Sequence, residues 1–470
     1  MTAYVVFLAL FLAAYYVDRH GLQQVFLMVW IPIFLYIPFA FTAHIPMVPI
    51  RTFSQAAIVP IIYVLFKEKW HLIRLGKLEL LMAAYVVLRV GADFNSRGYK
   101  DAQNYAFYML SCLIGPYLMG YYIINSRRMD IKTAKMFVLI FLSFFPLFIY
   151  EAKFWMNPIF KIMGPLFPNA FSGLSMRYGM ARTAGAFEHP ILACIMIIAT
   201  YRLHRWLCWS GEWKAKQEGW LGKIQGWLKP FPFSFEVQIT IILIIMALMT
   251  ISRGPGIGGL AAGVLVAAGN FKNRKRALTI VCLLFVLGGY GGKMALDAYI
   301  TPGEGQEIAL EAQTMLYRKI MVERYTEFVY QKYWAGWGLT TVPVIKGMES
   351  IDNAFFLMAL QHGVIAPAIF VIMFVYAIVS QIQFGLKSPP GVAPLGFTFA
   401  GIYLMCFFAF TSVYMGAQTE PLLFLLLGWG EGIKARKPEP DESGGPPVEA
   451  PRSRWRALET KSQVVFDVQV

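Results

Sequence analysis

Charge is the scarcest property of this chain. Asp, Glu, Lys and Arg make up 15% of 470 residues, against 57% hydrophobic and 16% aromatic, and mean hydropathy is +0.54. A soluble globular domain has roughly a quarter of its residues charged, so this composition excludes one and points to a polytopic membrane protein. Cysteine is also sparse. Cys112, Cys194, Cys208, Cys282 and Cys406 are scattered with no ligand-like spacing, which predicts neither disulfides nor a bound metal. The start, Met1-Thr2-Ala3-Tyr4, has no basic region ahead of its first apolar run, and no small-residue cleavage site follows, so no removable signal peptide is expected. An internal repeat is lacking too, which disfavours repeat-built transporters.

What is present is a succession of apolar runs of about 15–25 residues, the length a helix needs to cross a roughly 30 Å hydrocarbon layer with every backbone amide bonded internally. Thirteen runs are read, near 3–17, 24–42, 54–66, 78–92, 104–124, 135–150, 189–201, 237–251, 256–269, 277–295, 353–384, 395–415 and 419–433. They predict an all-α polytopic fold of 12–13 membrane helices over 1–433. The net charge of +15 assigns no nucleic-acid partner, because alternate connections hold 27 of the 42 Lys and Arg and so set topology. By the positive-inside rule those connections face the cytoplasm, together with a disordered tail over 434–470. The connection 202–236 spaces Trp206, Trp209, Trp213, Trp220 and Trp227 along one helical face, with Lys214, Lys216, Lys223 and Lys229 off it. That pattern predicts an amphipathic helix on anionic membrane lipid.

The remaining side, external or periplasmic, then receives three polar segments. The largest, 297–352, carries Arg318, Lys319, Arg324, Lys332 and Lys346 beside eight carboxylates. Within it, 311–334 has helical periodicity, bracketed by Gly303 and Gly305 before and Gly336 and Gly338 after. The second is Arg182-Thr183-Ala184-Gly185-Ala186-Phe187-Glu188-His189-Pro190, with Arg177 upstream, and the third is Ser252-Arg253-Gly254-Pro255. Guanidinium groups held at a membrane surface match a diphosphate, since the guanidinium donates N–H bonds in pairs and the diphosphate oxygens accept them. Taken singly, Arg253 also reads as a lipid-phosphate anchor, Arg182 as a partner of Glu188 or an interfacial anchor, and Arg318, on a different helical face from Arg324, as part of a solvated helix surface. Asp352, just before an apolar helix and next to Asn353, either caps that helix or positions and deprotonates an acceptor hydroxyl. His362, in the same run, and His189 are second choices. Mid-helix positions are nearly free of charge, with Arg89 and Lys293 assigned to outer helix ends.

In order, Arg182 to Pro190, Ser252-Arg253-Gly254, Arg318, Gly336-Trp337-Gly338, and Asp352-Asn353 followed by Gly363 resemble the motifs of the O-antigen ligase and polymerase superfamily, over about 135–432. The resemblance implies a GT-C-like helical fold and an inverting, metal-independent transfer of a glycan from undecaprenyl diphosphate, with no cofactor. It implies that Arg182, Arg253 and Arg318 engage diphosphate or aid catalysis. Beside them Asp352 is read as a candidate catalytic residue, and Arg177, Glu188, His189, Ser252, Arg324, Asn353 and His362 as candidate binding residues. A chain-length regulator is a further implied partner. Ligases commonly have a histidine before the last-motif asparagine. Asp352 at that position is similar to the repeat-unit polymerases, so a polymerase is expected ahead of a ligase, and a lipid-linked oligosaccharide transporter is the alternative of another class.

Overall fold

A computed structural model describes residues 2–43, 48–69, 75–167, 170, 175–214, 217, 219–300, 310–389 and 394–436. Gly303, Gly305 and most of the 434–470 tail lie outside the described residues. About 76% of the chain is helical, and five helices are long and apolar enough to cross a membrane: Tyr4–Tyr36, Arg127–Phe154, Pro190–Trp209, Arg274–Ala295 and Ile365–Leu386. Apolar helices of 10–17 residues, Phe235–Met249, Arg253–Ala268 and Leu395–Phe410, pack with them. The protein is an all-α membrane protein.

In chain order the helices are α1 (Phe7–Val25), α2 (Ile31–Tyr36), α3 (Phe53–Lys69), α4 (Lys77–Arg97), α5 (Tyr99–Met109), α6 (Gly115–Tyr122) and α7 (Arg127–Phe154). Then come α8 (Pro158–Met163), a hairpin of β1 (Ser175–Arg177) and β2 (Met180–Arg182), α9 (Pro190–Trp209), α10 (Gly219–Leu228), α11 (Phe235–Met249) and α12 (Arg253–Ala268). The chain closes with α13 (Arg274–Ile300), α14 (Leu310–Gln331), α15 (Ala354–His362), α16 (Ile365–Leu386), α17 (Leu395–Phe410) and α18 (Thr419–Ala435). α17 packs on α9, α12 and α16, while α18 crosses α6 and α9 leans on α7 and α11. Gly120 and Gly428 let the α6 and α18 backbones touch, since a Cβ on either would overlap the facing main chain. Small residues at crossings are how helices associate in lipid, where apolar side chains gain nothing by leaving the solvent.

The runs at 3–17 and 24–42 are separated by non-helical backbone at Gly21, where φ is +77°, within the apolar stretch Tyr4–Tyr36. Two expectations change. The run at 353–384 is two helices, because Gly363, at φ +77°, ends α15 and places the chain against the Trp334 carbonyl. The five tryptophans of 202–236 do not share a helix face. α9 continues through Trp209, a turn follows, and Trp206 and Trp213 are buried under Arg127 and Lys135, at 4.5 and 5.5 Å from their rings. Only Trp220 and Trp227 on α10 are exposed, with Lys223 stacked on Trp220 at 4.6 Å. Tryptophan spacing continued across the turn, but helix did not.

Candidate active site

The two short arginine segments meet at the turn between α11 and α12. Ile251 takes φ +48° there, which leaves the last α11 carbonyls pointing away from their own helix. Arg182 Nε donates to the Thr250 carbonyl, Nη1 to Ser175 Oγ and Nη2 to Ser252 Oγ, each at 3.1 Å. Arg177 Nη1 donates to the Ile251 carbonyl at 3.1 Å, and the Thr183 amide to the Met249 carbonyl at 3.2 Å. Arg182 therefore clamps the hairpin to the turn instead of pairing with Glu188. Burial and the nearby Arg177 lower it to about 10, which leaves it charged at neutral pH. Arg253 opens α12, exposed, with its guanidinium 5.4 Å from the Tyr178 ring at the hairpin tip.

The stretch after Arg182 is held from below by residues the sequence reading missed. The carboxylate of Glu151, in the last turn of α7, accepts from the amides of Ala184 at 3.2 Å and Gly185 at 2.9 Å. Asn157 Nδ2 donates to the Gly185 carbonyl at 2.6 Å. The available signal was one carboxylate ending an apolar run, a costly placement that needs a partner. His189 then caps α9, its Nδ1 accepting from the Ile191 amide at 3.2 Å. Burial, with Arg182 adding to it, pushes His189 down to about 4. Glu188 is half-buried, and burial raises its pKa.

α14 brings the last arginine. Met321, Tyr325 and Val329 form its buried stripe, and Arg318 lies one turn up the same stripe, whereas Arg324 is exposed to the side of it. Arg324 is thus not brought to the cluster. Arg318 Nη2 faces Asp352 Oδ2 at 3.8 Å, with the side chains 23% and 32% exposed. Among the described residues Nη1 reaches only the Met315 sulfur, at 3.8 Å, and the buried Nε has no acceptor. Burial lowers the pKa of this guanidinium. Asp352 does not cap α15. Asn353 does, accepting from the Phe356 amide at 3.0 Å, so the Asp352 carboxylate is left for Arg318 and the Ser350 hydroxyl at 2.6 Å.

These groups form one electrostatic neighbourhood. His189 lies in the fields of Arg182, Asp352 and Arg177, and Arg318 in those of Asp352 and Arg177. Beside them a cleft of about 380 Å³ is walled by Tyr325, Leu339, Ser350, Ile351, Gln361 and Tyr414. Its floor is the clasp between α14 and α15: Trp337 N to Leu360 O and Gly338 N to Gln361 O, both 2.8 Å, and Val364 N to Tyr333 O, 3.0 Å.

His362 belongs to a different cluster. Its Nε2 lies 3.4 Å from Tyr105 Oη, and its buried Nδ1 has no hydrogen-bond partner among the described residues. Arg89, expected at a helix end, is buried within α4, bonded to Glu420 at 2.6 Å and Tyr85 at 2.9 Å, while Tyr108 donates to the other Glu420 oxygen at 2.8 Å. Sequence could not pair residues 331 positions apart.

Comparison with known proteins adds no relative: the chain matches no family model, and no characterised protein matches its sequence.

Proposed function

We propose that this protein is a GT-C-like polysaccharide polymerase of the bacterial inner membrane, moving a glycan from undecaprenyl diphosphate onto another lipid-linked repeat unit at its periplasmic face. The observation that carries the reading is Arg318. A largely buried guanidinium whose charged partner stands off at 3.8 Å and whose Nε has no acceptor among the described residues is under-satisfied, and an oxyanion is what completes it. Arg177 and Arg182 add positive potential to the same neighbourhood. Charge placed before the reaction stabilises a diphosphate leaving group without reorganisation. In this reading Arg182 builds the site and Arg318 meets the diphosphate. Asp352 holds Arg318 in place and orients the acceptor hydroxyl, and Arg253 at the exposed mouth guides the anionic head.

The test is the glycan profile of a deletion strain complemented with wild type, Arg318→Ala or Arg253→Ala, with membrane expression checked. Single repeat units that wild type extends and Arg318→Ala does not are the expected result. Full-length polymer left unattached would mean a ligase, and normal polymer in both variants would end the proposal.

A transporter of lipid-linked oligosaccharide is the second reading, favoured by the buried Arg89–Glu420 pair, because ionisable groups inside membrane helices often line a transport path. Carrier-linked repeat units trapped on the cytoplasmic side of the deletion strain would favour it.

A further inference from the structure

The proposed transfer needs a base, and the structure ties down its most obvious carboxylate. Asp352 is engaged by Arg318 and by the Ser350 hydroxyl. Each of its oxygens already has a partner, Oδ2 facing the Arg318 guanidinium and Oδ1 accepting from Ser350. Glu188 is the opposite case, half-buried, with no hydrogen bond or ion pair to its carboxylate among the described residues.

Its position follows from two backbone ties. Gln418 Nε2 donates to the Ala186 carbonyl at 3.2 Å, and the Ala354 amide to the Val413 carbonyl at 3.0 Å. The segment 413–418 is thereby strung between the Glu188 loop and the start of α15. Tyr414, on that segment, lines the cleft and lies in the fields of both Glu188 and Asp352, which with burial raise it to about 12. One cleft-lining phenol thus senses two carboxylates, one facing a guanidinium and one without a hydrogen bond or ion pair among the described residues.

We propose that Glu188 is the general base for the acceptor, and that Asp352 is a positioning residue acting through Arg318. This rests on the transferase reading above. The acceptor O–H bond breaks and its proton goes to the Glu188 carboxylate. The oxygen's electron pair forms the new bond to the anomeric carbon as the bond from that carbon to the diphosphate oxygen breaks. Diphosphate leaves as an anion against Arg318, and the glutamic acid later loses its proton to water. Burial, which raises Glu188, brings its proton affinity closer to neutral pH, where a base works best.

The test uses full-length protein in detergent and, as substrate, the carrier-linked repeat unit extracted from the deletion strain. If wild type makes no polymer from it, the transferase reading itself fails. If wild type is active, Glu188→Gln is expected to lower kcat at least about 100-fold, the usual worth of a general base, with little change in donor KM. The acid limb of the pH–rate profile should vanish with it. Tyr414 is the titratable group that senses Glu188, Asp352 is the other carboxylate it senses, and His189 adjoins Glu188 in sequence, so the limb is compared with His189→Asn and Asp352→Asn, which should keep it. Formate should partly restore Glu188→Ala, a rescue that no folding role predicts. A Glu188→Gln rate within threefold of wild type, an intact acid limb, or loss of the limb in Asp352→Asn would overturn the assignment.

Discussion

Arg182 and Arg318 carry the same charge in different states of satisfaction. Arg182 spends three donors on a carbonyl and two serine hydroxyls in divergent directions, which an ammonium on a flexible stem cannot reproduce. Arg182→Lys should therefore destabilise the protein by about 2–3 kcal/mol, read as a lower unfolding temperature in detergent. Arg318→Lys should leave that temperature nearly unchanged while polymer yield falls, because little of the fold hangs on its loose contact with Asp352. Equal stability losses in the two would refute the division of labour. His189 makes a pH prediction. Its folded value of about 4 lies below the usual 6.5, so the unfolded chain binds the extra proton, and stability present above pH about 6.5 is lost as pH falls toward 4. His189→Asn retains a side-chain acceptor for the Ile191 amide and should flatten that acid dependence, measured as thermal unfolding at pH 7.5 and 5.

α14 owes its place to a clasp outside itself. Gly336 and Gly363 take φ of +68° and +77° so that the Trp334–Leu339 and Leu360–Val364 backbones can run against each other. A Cβ at Gly363 would overlap the Trp334 carbonyl and force a conformation costly for any L-residue. Gly363→Ala should cost at least about 2 kcal/mol. It should also speed amide exchange over 310–340 and abolish activity as fully as Arg318→Ala; protection unchanged along α14 would show that the clasp does not hold the helix. Asp93 on α4 accepts from the Leu339 amide at 2.7 Å, joining this clasp to the helix that carries the buried Arg89–Glu420 pair.

At the scale of the whole molecule, the positive-inside rule predicts that the basic connections lie on the opposite side of the membrane from the arginine cluster, the cleft and the clasp. With exposed Cys282 replaced by serine, a cysteine at Lys346 should react with a membrane-impermeant maleimide in intact spheroplasts. A cysteine at Lys223 should react only after permeabilisation. Reversed labelling would place the cluster in the cytoplasm and remove the premise of periplasmic transfer.

Hydrophobicity and loop charge are additive along the chain, so sequence alone determined the helical membrane class and the three polar segments. It also located the α14 helix, since a 3.6-residue period is local. Pairing over long separations is not local. That Asn353 and not Asp352 caps α15, that Arg182 is consumed by the turn after α11, and that Glu151 supports the 184–185 amides became visible only once helices far apart in sequence were packed together. The tryptophans of 202–236 show the same limit from the other side. Their spacing was helical, but the turn at 210–214 put Trp206 and Trp213 inside and Trp220 and Trp227 outside, because burial depends on what packs against a residue as well as on its period.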